Sequence, residues 1–237
     1  MKHLVIIPTY NEKENIEAII ESVFSQTTPF HILVIDDGSP DGTADIVKKL
    51  QNKYPNTLIL KEREGKLGLG TAYILGFKWA IENEFDYIIE MDADFSHPPS
   101  KLNALVKAAN EGNDVVVGSR YVKGGAVKNW PFRRILISYG ASLYTRLITW
   151  IPVKDCTAGF VLYHRKVLET IPLNKIRFIG YAFQIEMKYL SWKFGFKIKE
   201  IPICFIDREK GQSKMSKNII REAIFGVWKM RFTNYKK

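Results

Sequence analysis

The chain has 237 residues, and its 35 lysines and arginines outnumber 25 aspartates and glutamates to give a formal charge of +10. With 46% hydrophobic and 25% charged residues, disordered and low-complexity classes are excluded, and the length suits one large domain. Cys156 and Cys204 lack metal-type spacing, which excludes a disulfide framework and a zinc site, and no run reaches the ~20 apolar residues of a membrane span.

Residues 4–7 form a first apolar, β-branched run, too short for a signal segment, so a cytoplasmic location is expected. Further strands are predicted at 32–35, 57–60, 87–91 and 115–117. Helices are predicted between them at 12–24, where Ile16, Ile19, Ile20 and Val23 share a face, and at 43–50, 72–81 and 100–109. This alternation implies an α/β class with a mostly parallel sheet flanked by helices. In such sheets function gathers in the loops after the strands' carboxyl ends, here 8–11, 36–42, 62–70, 92–99 and 118–130. Later strands are predicted at 159–163 and 197–205, with a helix at 181–192. Residues 219–232 set Ile220, Ala223, Ile224, Val227 and Trp228 at helical spacing beside Lys217, Arg221, Lys229 and Arg231, which suits the core or a membrane surface. No linker or repeat divides the chain, so one domain over 1–237 is expected, with 217–237 a basic amphipathic segment.

Positive charge collects at the C-terminal end, where 208–237 holds nine Lys/Arg against Glu209 and Glu222. It also collects in the acid-free stretch 120–134, which holds Arg120, Lys123, Lys128, Arg133 and Arg134. Such clusters attract phosphates of nucleotides, nucleic acids or anionic lipids.

Asp92-Ala93-Asp94 follows the 87–91 strand, and two carboxylates so close repel unless a cation intervenes; Mg2+ or Mn2+ suits such hard oxygens. A capped turn is the plainer reading of the same residues. Asp36 and Asp37 end the second strand, where a carboxylate can accept bonds from a base or ribose. Tyr10 offers a ring for stacking, and Arg208-Glu209-Lys210-Gly211-Gln212-Ser213-Lys214 combines cations with a flexible glycine suited to a pyrophosphate. The run after Gly68 lacks the third glycine of a dinucleotide fingerprint. His3, His31, His97 and His164 are scattered and receive no catalytic role. There is no GxSxG, HExxH or Walker A sequence.

In order, PTYNE (8–12), VIDDGSPDGT (34–43), KLGLGTAY (66–73), MDADFSHPP (91–99), GSRYVKGG (118–125), the basic stretch 130–138, AGFVLYHRKVL (158–168) and DREKGQSKMS (207–216) cover nearly the whole chain. Together they resemble the polyprenyl (dolichyl) phosphate mannose synthases, a branch of the family 2 glycosyltransferases. The resemblance implies a GT-A fold with a Rossmann-like sheet. Pro8, Tyr10, Glu12, Ile35 and Asp37 would hold guanosine, and Asp92, Ala93 and Asp94 would meet the diphosphate. Asp92 and Asp94 would bind Mg2+ or Mn2+, joined by Ser96 where some relatives have Gln. Arg120, Arg208 and Lys214 would face the diphosphate or the acceptor phosphate, and with Asp94 they form the expected catalytic set; Arg133, Arg134 and Ser138 would face the acceptor. The triplet Asp155-Cys156-Thr157 departs from the family pattern, so Asp155 receives no role.

The implied reaction is inverting transfer of mannose from GDP-mannose to a polyprenyl phosphate, giving the β-linked product. The alternative keeps the acceptor and takes a UDP-sugar such as UDP-glucose. Implied partners are GDP-mannose, the polyprenyl phosphate lipid and a membrane surface, reached peripherally on the cytoplasmic face or through a membrane-anchoring subunit. A sugar-nucleotide pyrophosphorylase would want a Gly-rich loop where PTYNE stands. A nucleic-acid partner is not expected, since no basic recognition helix or RNA-binding aromatic strand motif occurs.

Overall fold

The computed structural model describes residues 1–207, 226–233 and 235. Its centre is a seven-stranded sheet of β1 (His3–Thr9), β2 (His31–Asp36), β3 (Leu58–Glu62), β4 (Tyr87–Glu90), β5 (Val115–Ser119), β7 (Val161–His164) and β8 (Ile198–Pro202), in the order β3-β2-β1-β4-β7-β5-β8. Every neighbouring pair is parallel except those made by β7, which runs antiparallel to β4 and β5. The near-continuous apolar runs of β1, β2 and β5 follow from burial on both faces.

Alternation along β1 divides the core in two. Leu4 and Ile6 pack with α3 (Leu69–Glu82) and α7 (Tyr181–Lys193), while Val5 and Ile7 pack with α1 (Ile16–Phe24), α2 (Thr43–Gln51) and α4 (Leu102–Asn110). Helix α3 lies so close to the sheet that a Cβ on Gly76 would sit 2.7 Å from Ile6 Cδ1. Two further helices, α5 (Phe132–Thr149) and α6 (Arg165–Thr170), complete the labelled set; residues 226–232 are also helical. Among the described residues no helix is long and apolar enough to cross a membrane.

The expected mostly parallel sheet with flanking helices is therefore present, with corrections at element ends. The strand predicted over 197–205 is two strands in two sheets: β8 ends at Pro202, and β9 (Cys204–Ile206) pairs with the short β6 (Ala126–Lys128). Pro202 has no N–H to continue the ladder. The first helix starts at Ile16 rather than at residue 12. Asn11 takes a left-handed φ of 58°, and the Glu12 carbonyl accepts from the N–H groups of Asn15 and Ile16, making a turn of 12–15.

Candidate active site

Because β1, β2, β4 and β5 point the same way, the segments following them share one edge of the sheet. Side chains tie the first two together: Thr9 Oγ1 donates to Asp36 Oδ2 at 2.8 Å, and the Glu12 N–H donates to Thr43 Oγ1 at 3.0 Å. Pro8, Tyr10, Glu12 and Asp37 gather at this edge. Ile35 is there as well, but its side chain is fully buried in the core, so only its backbone can meet a ligand. Asp37 is buried and receives Arg63 Nε at 2.6 Å, while Arg63 Nη1 donates to Thr71 Oγ1 at 2.8 Å. Arg63 received no role from sequence; its signal was its place in the 62–70 loop, one strand over from Asp37. Lys66 Nζ stands 5.1 Å from the centre of the Tyr10 ring.

After β4 the chain curls through Asp92, Ala93 and Asp94. Phe95 adopts a left-handed φ of 61°, which brings the Ser96 N–H to Asp94 Oδ1 at 3.1 Å. Ala93, Asp94 and Ser96 are buried, and Asp92 is partly open. The Tyr73 hydroxyl donates to Asp92 Oδ1 at 3.4 Å, and the Asp92 N–H donates to His97 Nδ1 at 3.0 Å. That bond places the ring proton on Nε2, so His97, stacked on Phe160 at 5.3 Å, anchors the turn by accepting rather than as an ion-pair donor to the Asp92 carboxylate 3.7 Å away. His97 thus has a positioning place that the sequence reading did not give it. Two carboxylates and a serine hydroxyl are a hard-oxygen set suited to Mg2+ or Mn2+, which fill much of their shell with water and phosphate oxygens. Among the described residues no group of three or more His, Cys, Asp or Glu side chains converges as a full metal cage.

Arg120 is buried at the end of β5 and held by Asp155, which is fully buried. Nε donates to Asp155 Oδ2 at 2.8 Å, Nη2 donates to Oδ1 at 2.6 Å, and Nη2 also reaches Thr157 Oγ1 at 2.8 Å. The rings of Tyr121, Trp130 and Phe205 lie 5.2 to 5.5 Å from the guanidinium. On α5, Arg134 donates through Nη1 to both Asp207 oxygens at 2.8 Å and covers the Trp130 ring at 4.0 Å; Ser138 Oγ accepts from the Tyr121 hydroxyl at 2.7 Å.

Asp92, Asp94, Ser96, Arg120, Arg134 and Ser138 line one cavity of about 430 Å3 beside apolar Ile137, Ala141, Tyr144, Ile185 and Val227, whereas Pro8, Tyr10, Glu12, Ile35 and Asp37 lie outside this lining. Arg133 is exposed and lies outside this lining. Arg208 and Lys214 lie outside the described residues.

Behind the cavity Glu90 and Lys188 are both fully buried. Lys188 Nζ donates to the Ala158 carbonyl at 2.5 Å and to the Gln184 carbonyl at 3.0 Å. Burial pushes the Glu90 carboxyl up to about 8, partly opposed by Lys188, and burial pulls the Lys188 ammonium down to about 8, partly opposed by Glu90.

The sequence model of glycosyl transferase family 2 matches residues 4–172. The chain belongs to this family. This glycosyltransferase is 45% identical over 230 residues to a polyprenol monophosphomannose synthase of Mycolicibacterium smegmatis, covering 96% of this chain and 87% of the relative. It is 42% identical over 227 residues to an undecaprenyl-phosphate mannosyltransferase of Micrococcus luteus, covering 96% and 93%. A dolichol-phosphate mannosyltransferase of Pyrococcus furiosus is 39% identical over 236 residues, covering 97% of this chain and 64% of that longer protein. Among solved structures, glucosyl-3-phosphoglycerate synthase from Mycobacterium tuberculosis with Mn2+, UDP-glucose and phosphoglyceric acid superposes with a TM-score of 0.70 at 18% identity, over 97% of this chain and 79% of that one. At that identity the likeness establishes the GT-A fold of this glycosyltransferase.

Proposed function

We propose that this glycosyltransferase moves mannose from GDP-mannose to a polyprenyl phosphate with inversion, giving the β-linked polyprenyl phosphate mannose. The observation that carries the reading is the shared cavity, in which two carboxylates and two arginines meet walls of apolar side chains. A diphosphate sugar needs the former, and a lipid phosphate needs both. The relatives' names, each a polyprenyl-type phosphate mannosyltransferase or synthase, support the same acceptor class.

In this reading Pro8, Tyr10, Glu12, Asp37 and the Ile35 backbone hold the guanosine. Ala93 and the carboxylates of Asp92 and Asp94 face the diphosphate. Asp92, Asp94 and Ser96 would hold Mg2+ or Mn2+, which when bound would supply positive charge to offset that developing on the departing diphosphate. Arg120, held rigid by Asp155, keeps its guanidinium aimed into the cavity with no reorganisation during reaction. Arg208 and Lys214 add positive charge at the diphosphate, and Arg133, Arg134 and Ser138 receive the acceptor. A phosphate monoester, with a second pKa near ~6, arrives anionic, so its oxygen attacks the anomeric carbon without a general base; in-line displacement inverts that centre. The whole chain acts as one catalytic domain, peripheral on a membrane's cytoplasmic face.

The test is incubation with radiolabelled GDP-mannose, polyprenyl phosphate and Mg2+ or Mn2+, run beside UDP-glucose. Label entering an acid-labile lipid from GDP-mannose is expected. Transfer from UDP-glucose alone would sink the donor assignment, and transfer from neither would sink the reaction.

A further inference from the structure

Helix α5 has a second flank that the proposed reaction does not use. Arg134, Ser138, Ala141 and Thr145 line the large cavity, whereas Tyr139, Leu143 and Arg146, at i, i+4 and i+7, form another row around the helix. That row, with Tyr121 and Lys154, encloses a separate cavity of about 160 Å3, the volume of about five water molecules. The Tyr121 hydroxyl, bonded to Ser138 Oγ, marks the divide between the two cavities.

Arg146 lines the smaller cavity, and its Nε is buried with no hydrogen-bond partner among the described residues. A desolvated donor of this kind costs stability until an acceptor meets it. Neither Arg146 nor Lys154 forms an ion pair with a described acid. Glu200, close in the fold, uses its two oxygens to accept the backbone N–H groups of Lys154 at 2.8 Å and Asp155 at 3.0 Å. Two cations on one cavity, neither in an ion pair with a described acid although the Glu200 carboxylate stands near, suit an anion of high charge density. Leu143 and Leu147, four apart on α5, are exposed at 44 and 68%, and Trp150 at the helix's left-handed C-cap is exposed at 69% with the Arg231 guanidinium 4.2 Å from its ring, so an occupant with an apolar body gains contact there as well.

We propose that the cavity between Arg146 and Lys154 is a second phosphate site, distinct from the acceptor site, that takes the headgroup phosphate of a bilayer lipid. Leu143, Leu147 and Trp150 lie against that lipid's acyl region. The site goes beyond the transfer reaction, because it lies outside the cavity assigned to donor and acceptor.

The test uses the full chain and phosphatidylcholine vesicles with and without phosphatidylglycerol. Arg146→Gln with Lys154→Gln is expected to lower phosphatidylglycerol-dependent binding about 25-fold, roughly fivefold for each cation. Lys123→Gln with Lys128→Gln, at exposed positions outside the cavity, is expected to cost about twofold at most. Equal losses in the two variants would mean attraction by diffuse charge and overturn the site. Inorganic phosphate titrated calorimetrically separates the sources: binding abolished in the cavity variant without any change toward vesicles would overturn the lipid assignment. Unaltered melting temperature and GDP binding serve as the folding check. If the double variant misfolds, Lys154→Gln alone, at an exposed position, must still show its fivefold loss. Failure of GDP to bind the unaltered chain would count against the transfer reaction and leave the vesicle comparison intact.

Discussion

Arg120 and Asp155, 35 residues apart, make a buried bidentate pair in which one carboxylate also accepts the Arg120 backbone N–H at 2.9 Å. Three bonds from one residue to one carboxylate fix both the guanidinium plane and the backbone at the end of β5. The aspartate carries this role from the segment before β7.

Asp155→Asn keeps the shape and removes the charge that balances Arg120. In the proposed reaction kcat is expected to fall by about 10- to 100-fold with a smaller change in donor KM, since orientation in the transition state is what is lost. Asp155→Ala, which removes the buried carboxylate that accepts three bonds from Arg120, is expected to lower stability by about 3 to 5 kcal/mol. Steady-state kinetics and chemical denaturation check the two outcomes; full activity in Asp155→Asn would remove the positioning role.

Asp92→Asn with Asp94→Asn removes both charges of the hard-oxygen set while preserving volume. Mn2+ binding, followed by its electron paramagnetic resonance signal, is expected to vanish, and transfer to fall by at least about 10²-fold. Chelator should bring the unaltered chain down to a similar level. Transfer that proceeds at the parental rate in chelator would rule out the metal.

The sheet could be read from the sequence because strands buried on both faces produce apolar runs that hardly depend on distant context, as in Leu4 to Ile7 and Ile32 to Ile35. The turns that carry Asp37 and Asp92 were legible for the same reason, each following such a run. Pairings across the chain were not. Nothing local to Arg63 announces Asp37, and nothing near Asp155 announces Arg120, because register and crossover decide those contacts. Helix α5 has no counterpart among the predicted helices: Arg134, Ser138 and Thr145 line the large cavity while Leu136 and Leu147 stand in the open, the reverse of the usual pattern. The division of 197–205 into two strands depended on β6, a three-residue partner with little signal of its own.

Arg63 restrains Asp37 from the third strand's loop, so Arg63→Met is expected to act on donor binding. The Asp37 carboxylate would remain but lose its fixed rotamer and its partner. An increase in donor KM of about tenfold, with kcat changed less than about threefold, is the expected split. An unchanged donor KM would show that Asp37 does not contact the nucleotide.

Glu90 and Lys188 give a stability prediction whose sign depends on pH. Burial raises the Glu90 carboxyl from 4.5 to about 8, so the folded chain keeps a proton that the unfolded chain gives up over this range. The protonated group's advantage is complete below the unfolded value and declines as pH climbs to about 8, with a slope of at most ~1.4 kcal/mol per pH unit. Lys188 is lowered from 10.5 to about 8, so its own change falls above that window. Glu90→Gln cannot titrate, and its stability relative to the parent is therefore expected to rise between pH 5 and 8 in urea unfolding. Lys188→Met acts differently: it strips the buried donor from the Ala158 and Gln184 carbonyls, at an expected cost of about 1 to 3 kcal/mol. Because Ala158 belongs to the segment that carries Asp155 and Thr157, Lys188→Met is also expected to lower kcat toward the Asp155→Asn level. Parallel pH profiles for the parent and Glu90→Gln would overturn the assigned burial effect.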